Sequence, residues 1–168
     1  PPANSMTRLI DAISDTTTYA GINPATDTWW KSVVIDLANA DLTFPRLNDA
    51  ILRTSFGNTS PDLIVMSKKV WNKLWVNAGD KQRFPEGDDV LVGWEHIKIG
   101  RARLVYDDHC PDGTVYGLNT DFIKLIVHTD GNFRFEGWRL PHNQLSRVGF
   151  LIFVGQLLVN GRRYHFRI

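Results

Sequence analysis

The sequence is poor in the features that mark secreted, membrane and catalytic proteins. Its single cysteine, Cys110, excludes an internal disulfide, and no basic start followed by an apolar run marks a secretory leader, so a reducing compartment is the expectation. The longest apolar stretch, Val148 to Val159, is interrupted by Gly149, Gly155 and Gln156. It is too short and too polar to span a bilayer and reads as a buried strand. Neither of the glycine patterns that cradle phosphates occurs, which removes support for nucleotide binding. Repeats, low-complexity tracts and Pro/Gly/Ser-rich linkers are also missing, so nothing marks a domain boundary. The chain opens on Pro1-Pro2-Ala3-Asn4-Ser5 instead of an initiator methionine, and the expectation is a piece of something longer.

Charge of one sign is lacking as well. Nineteen Lys and Arg against eighteen Asp and Glu leave a formal net charge of +1, so no global field argues for nucleic acid or an anionic membrane. The distribution is uneven. From Gly131 onward six arginines (134, 139, 147, 162, 163 and 167) face the single acid Glu136, a local balance of +5 that leaves −4 for the rest. With 168 residues, 43% of them hydrophobic, the chain has material for one packed core and is expected to fold as a single compact unit spanning 1–168.

Periodicity predicts an α+β fold in which sheets dominate. Leu9 and Ile13 suggest a short helix, and Ser32 to Leu37 a strand. Pro45 suits a first helical turn, Leu47, Ala50 and Ile51 share one helical face, and Gly57 is a natural stop, so a helix is predicted near Pro45–Ser55. After Ser60-Pro61, Leu63-Ile64-Val65-Met66 reads as an apolar strand. Ser67 is placed to cap a second helix near Lys68–Asn77, with Val70, Trp71, Leu74 and Trp75 on its apolar side and Gly79 at its end. These two helices are expected to pack on a sheet. Beyond residue 80 the expected strands are Val90–Trp94, His96–Ile99, Arg101–Tyr106, Val115–Leu118 and Phe122–His128. Turns are expected at Pro111-Asp112-Gly113 and Asp130-Gly131-Asn132. Asn160-Gly161 is predicted to form a type I′ hairpin turn between the run ending at Val159 and a last strand, Arg162–Ile168. In that strand Tyr164, Phe166 and Ile168 would line an apolar face, and Arg163, His165 and Arg167 a basic face offered to a partner.

The densest group of reactive side chains is Asp107-Asp108-His109-Cys110. Neighbours in an extended strand point to opposite faces, which separates His109 from Cys110 as base and nucleophile, and no second cysteine could complete a zinc site. The simpler reading is a strand end running into a turn. The remaining histidines, 96, 128, 142 and 165, are scattered singly. Of six tryptophans, Trp71 and Trp75 belong to a helix core face at i, i+4. Trp29 and Trp30 cannot both face one core from an extended segment, so one of them is expected at an interface.

From about residue 60 onward the order of features resembles the major capsid proteins of tailed phages. The resemblance is carried by Pro61-Asp62-Leu63-Ile64-Val65-Met66-Ser67 followed by a helix, and by Leu104 to Asn119, with its Asp107-Asp108, Pro111-Asp112-Gly113 and Tyr116-Gly117-Leu118-Asn119. Upstream, Tyr19-Ala20-Gly21-Ile22-Asn23 and Trp29-Trp30 look like the entry to that family's axial domain. The resemblance implies the Hong Kong ninety-seven type of coat fold, with axial-domain-like and peripheral-domain-like parts. It also implies a fragment lacking the N-terminal arm, extended loop and spine helix that normally precede this segment. It further implies a structural protein without cofactor or turnover, found in the virion and, during assembly, in the bacterial host cytoplasm. Its partners would be copies of itself in hexamers and pentamers, scaffold, portal and decoration proteins, and packaged DNA through non-specific contact. The candidate subunit-interface residues are Trp29, Trp30, Arg163, His165 and Arg167. Two other classes compete with this reading: a hydrolase using Cys110 with a histidine from elsewhere, and a carbohydrate or surface-binding module using Trp29, Trp30 or Trp138 as stacking platforms.

Overall fold

A computed structural model describes residues 8–38, 40–79, 98–143 and 145–168. The expected strand Val90–Trp94 lies outside the described residues, as do His96 and Ile97 of the expected strand His96–Ile99.

Three helices and ten strands are present among the described residues, an α+β arrangement. Helix α1 (Leu9–Ala12) is a single turn. Helix α2 (Phe44–Thr54) carries the predicted Pro45 in its first turn, where the missing N–H costs nothing. It ends where two hydroxyls take over carbonyls of the last turn: Thr54 Oγ1 donates to the Ala50 carbonyl at 3.0 Å and Ser55 Oγ to the Ile51 carbonyl at 2.6 Å. Helix α3 (Lys68–Gly79) follows strand β2 (Leu63–Met66) directly, as expected. The Ser67 hydroxyl between them accepts the Gly113 N–H at 3.2 Å, tying the helix start to the Pro111-Asp112-Gly113 turn.

The central sheet has six strands in the order β1-β10-β5-β2-β4-β3. Beside β2 these are β1 (Val33–Val34), β3 (Lys98–Ile99), β4 (Ala102–Tyr106), β5 (Val115–Leu118) and β10 (Phe166–Arg167). The two-residue side-chain period of β2 assigns its faces. Ile64 and Met66 join Leu47 and Ala50 of α2, Trp71 and Leu74 of α3, and Leu104, Val115 and Phe166 in the main core. Leu63 and Val65 point the other way, to a second cluster built on Ile13, Tyr116 and Leu118. The sheet is thus covered on one face by the two predicted helices and on the other by the N-terminal segment. Gly117 is needed where β5 and β10 pair: a Cβ there would fall 1.9 Å from the Phe166 ring, which lies flat on the glycine backbone.

The remaining strands form an antiparallel arm in two sections. Strands β6 (Ile123–Val127) and β9 (Gly155–Val159) pair near the sheet, and β7 (Arg134–Arg139) pairs with β8 (Val148–Ile152) farther along, with a bulge between Phe135 and Trp138. A one-turn 3-10 helix, Thr129–Gly131, interrupts the arm at the expected Asp130-Gly131-Asn132 turn.

Three expectations are corrected. Val148 to Val159 is not one buried strand but two strands belonging to different pairs, and Phe150, Leu151 and Val154 are exposed. Asn160-Gly161 does not close a hairpin. Strand β9 pairs with β6, whereas β10 lies in the other sheet, parallel to β1 and antiparallel to β5. Gly161 has φ −142°, outside the left-handed region that a type I′ turn requires, and Arg162–Tyr164 form a 3-10 turn in place of the start of a strand. The expected strand Ser32–Leu37 shortens to Val33–Val34, although the Ile35 N–H still reaches the Arg167 carbonyl at 2.9 Å.

Candidate assembly surfaces

The basic C-terminal segment is assembled from the inside outward. Arg162 is fully buried, and its guanidinium donates to the carbonyls of Ala12 (2.7 Å), Ser14 (2.7 Å), Thr17 (3.0 Å) and Asp11 (3.3 Å). Planar donors in a fixed fork suit several carbonyls at once, so this one side chain holds the turn after α1 against the end of the arm. Burial lowers its pKa, opposed by the nearby Tyr19 and Asp15. The Tyr19 hydroxyl adds a second tie, donating to the Leu157 carbonyl at 2.9 Å and accepting the Val159 N–H at 3.1 Å.

The predicted basic face is not a face. His165 is 0% exposed, its Nδ1 accepts the Asn119 N–H at 3.1 Å, and burial pushes its pKa down to about 4, opposed by the Asp62 charge. Because the sheet is covered on both faces, the adjacent His165 and Phe166 are both buried, while Arg163 in the 3-10 turn and Arg167 remain half-exposed. Arg163 places its guanidinium 3.8 Å from the centre of the Phe56 ring, and Arg167 donates to the Ile10 carbonyl at 3.3 Å. The structure thus separates the three residues that simple alternation grouped together.

The tryptophan pair divides as the packing argument requires, though from a one-turn 3-10 helix (Thr28–Trp30) and not an extended segment. Trp30 is buried beside Tyr19, Ala12 and Val159, and Trp29 is 59% exposed, meeting Trp30 edge to face at 5.5 Å.

Asp107-Asp108-His109-Cys110 follows β4 as a turn. The Asp107 carboxylate accepts the His109 N–H at 2.8 Å, Asp108 pairs with Lys68 at 2.7 Å, and the His109 imidazole projects into solvent. The half-buried Cys110 thiol donates to the Thr114 carbonyl at 3.4 Å, and burial followed by the Asp107 charge raises its pKa. A thiol held protonated against a carbonyl is the opposite of an activated nucleophile. Among the described residues no group of three or more His, Cys, Asp or Glu side chains is placed to hold a metal.

Sequence reasoning missed most of a group of exposed apolar side chains on the arm. Phe133, Phe135, Trp138, Leu140, Leu151 and others there are half or more exposed. The signal lies in the string of aromatic and aliphatic residues between 133 and 154, of which Val148 onward is expected from sequence as a buried strand and Trp138 alone as a candidate exposed stacking platform.

No protein-family model matches the chain, and no curated protein matches it in sequence. Solved structures do match. The capsid asymmetric unit of cyanophage A-1(L) superposes with a TM-score of 0.61 at 20% identity, over 94% of this chain and 55% of that one. The holo-SrpI encapsulin complex from Synechococcus elongatus PCC 7942 superposes with a TM-score of 0.55 at 11% identity, over 80% of this chain and 51% of that one. The chain therefore spans about half the length of these relatives in structure. A phage capsid and an encapsulin, two kinds of protein shell, share this α+β arrangement, and the chain has the Hong Kong ninety-seven type of capsid fold.

Proposed function

We propose that this chain is the shell-forming part of a phage major capsid protein, which assembles with copies of itself around DNA and catalyses no reaction. The observation that carries the reading is the capsid-type fold extending over 94% of the chain. The chain's own surface supports it. Its reactive cluster is spent on turn hydrogen bonds and a surface ion pair, while large apolar side chains stand exposed on an extended arm, a distribution suited to association more than to turnover. In this reading the six-stranded sheet with α2 and α3 is the axial-domain-like part and the arm the peripheral-domain-like part. Trp29, Arg163 and Arg167 lie at subunit contacts, and Trp30 and His165 support that surface from beneath. The test is sedimentation velocity of the protein expressed alone from its complete reading frame. Particles of megadalton size are expected, and a protein that sediments only as a small species at all concentrations would refute the proposal.

A further inference from the structure

Strands β3 and β4 gather three cations around one cleft at the edge of the central sheet. Lys98, Arg101 and Arg103 lie close together in sequence, and the antiparallel pairing of β3 with β4 sets Lys98 directly opposite Arg103. Arg103 in turn stands beside Leu63 of β2, and partners in register project from the same side of a sheet. Arg101 occupies the connecting turn, where its Nη1 donates to the Asn58 carbonyl at 3.3 Å. That bond steadies the guanidinium and leaves further N–H groups to a ligand. The three cations line a cleft of about 570 Å³ together with Leu63, Asp62 and Thr120. Asp62 is the one acid in this lining, and Thr120 engages both of its oxygens: the backbone N–H donates to Oδ1 at 2.8 Å and the hydroxyl to Oδ2. Among the described residues no carboxylate lies within ion-pair distance of Lys98, Arg101 or Arg103. The helices behave differently. Arg53 of α2 and Lys68, Lys69 and Lys73 of α3 each meet an aspartate, so in a chain of net charge +1 the cleft concentrates positive charge that its own fold leaves unneutralised.

We infer that this cleft binds phosphate groups, at least two of them in one ligand, as a polyphosphate or a nucleic-acid strand presents them. Like charges directly opposite on two strands repel, so the Lys98 and Arg103 pair carries a cost that an anion between them removes. Two guanidinium forks match pairs of phosphate oxygens, and the ammonium supplies a point charge beside them. Three cations against one carboxylate leave 3 − 1 = +2 in the lining, more than one monovalent anion neutralises. An apolar ligand finds only Leu63 there. Such a site is complete within one chain, so it binds phosphate whether or not copies of the chain assemble.

The test is isothermal titration of the 168-residue chain with inorganic tripolyphosphate at low ionic strength. Wild type is compared with Arg101→Gln combined with Arg103→Gln, and with a control of equal charge change on α2, Arg46→Gln combined with Arg53→Gln. One tripolyphosphate per chain is expected to bind with a dissociation constant of about 1 mM or tighter. The cleft variant should bind about tenfold more weakly or worse, and the control within about twofold of wild type. A duplex of about 20 base pairs, added as competitor, separates the sources. Displacement of tripolyphosphate by the duplex assigns the cleft to nucleic-acid phosphates, and failure to displace it assigns the cleft to free polyphosphate. Thermal unfolding with and without tripolyphosphate checks folding and gives a second readout, since a bound ligand raises the Tm of wild type and control but not of the cleft variant. Should the double variant fail to fold, Arg101→Gln alone decides, because its side chain lies in an exposed turn. A wild-type chain that binds no tripolyphosphate, a cleft variant that binds it equally well, or a control that loses as much affinity would overturn the inference.

Discussion

Lowering the pH from 7 to 5 should destabilise this protein through His165. The imidazole is 0% exposed, its Nδ1 already accepts the Asn119 N–H, and burial depresses its pKa from 6.5 to about 4. Between these two values the unfolded chain binds a proton that the folded chain does not, so the contribution is fully present above about pH 6.5 and is lost as pH falls toward 4. The full shift corresponds to about 3 kcal/mol, of which about 2 kcal/mol should be gone at pH 5. Protonation at Nδ1 would also convert the acceptor of the Asn119 hydrogen bond into a donor facing a donor. Urea unfolding at pH 7, 6 and 5 measures the loss, and the same series on His165→Gln removes every other titrating group from the comparison. The wild type should lose about 2 kcal/mol more than the variant between pH 7 and 5. Parallel stability curves for the two proteins would show that the imidazole titrates normally and that its burial has been misread.

Other substitutions probe the remaining parts of the account. Arg162→Met should cost about 3 kcal/mol or more, read by urea unfolding, because four backbone carbonyls lose their donor and at least two of them lie where water has little access. Cys110→Ser should change stability by less than about 1 kcal/mol, since a serine hydroxyl can donate to the Thr114 carbonyl in place of the thiol, and the variant should assemble like the wild type. Arg163→Glu combined with Arg167→Glu should cost about 1 kcal/mol through the lost contact with the Phe56 ring, yet lower the yield of assembled particles much more strongly, as electron microscopy would show.

The parts of the fold that could be read from sequence are those set by local chemistry. Pro45 and the Leu47-Ala50-Ile51 stripe fixed α2, Leu63 to Met66 announced a buried strand by composition alone, and Pro111-Asp112-Gly113 is a turn because its residues suit little else. The failures arose where a distant partner decides. Asn160-Gly161 has the local chemistry of a hairpin, but Arg162 finds carbonyls from residues 11 to 17, and that long-range clamp draws the chain into another sheet. His165 lies inside, although alternation placed it on a solvent face, because the N-terminal segment covers that side of the sheet. Val148 to Val159 was read as interior because apolar residues are usually covered, and sequence alone cannot say whether the cover comes from the same chain. The division between Trp29 and Trp30 was legible, since adjacent side chains of an extended segment point to opposite sides and cannot share one core.

Cryo-electron microscopy of the protein expressed alone from its complete reading frame tests the capsid reading most directly. Closed icosahedral shells are expected, with the six-stranded sheet, α2 and α3 resolved in every subunit. Monodisperse small oligomers without curvature or closure, or shells in which another protein forms the wall, would contradict it.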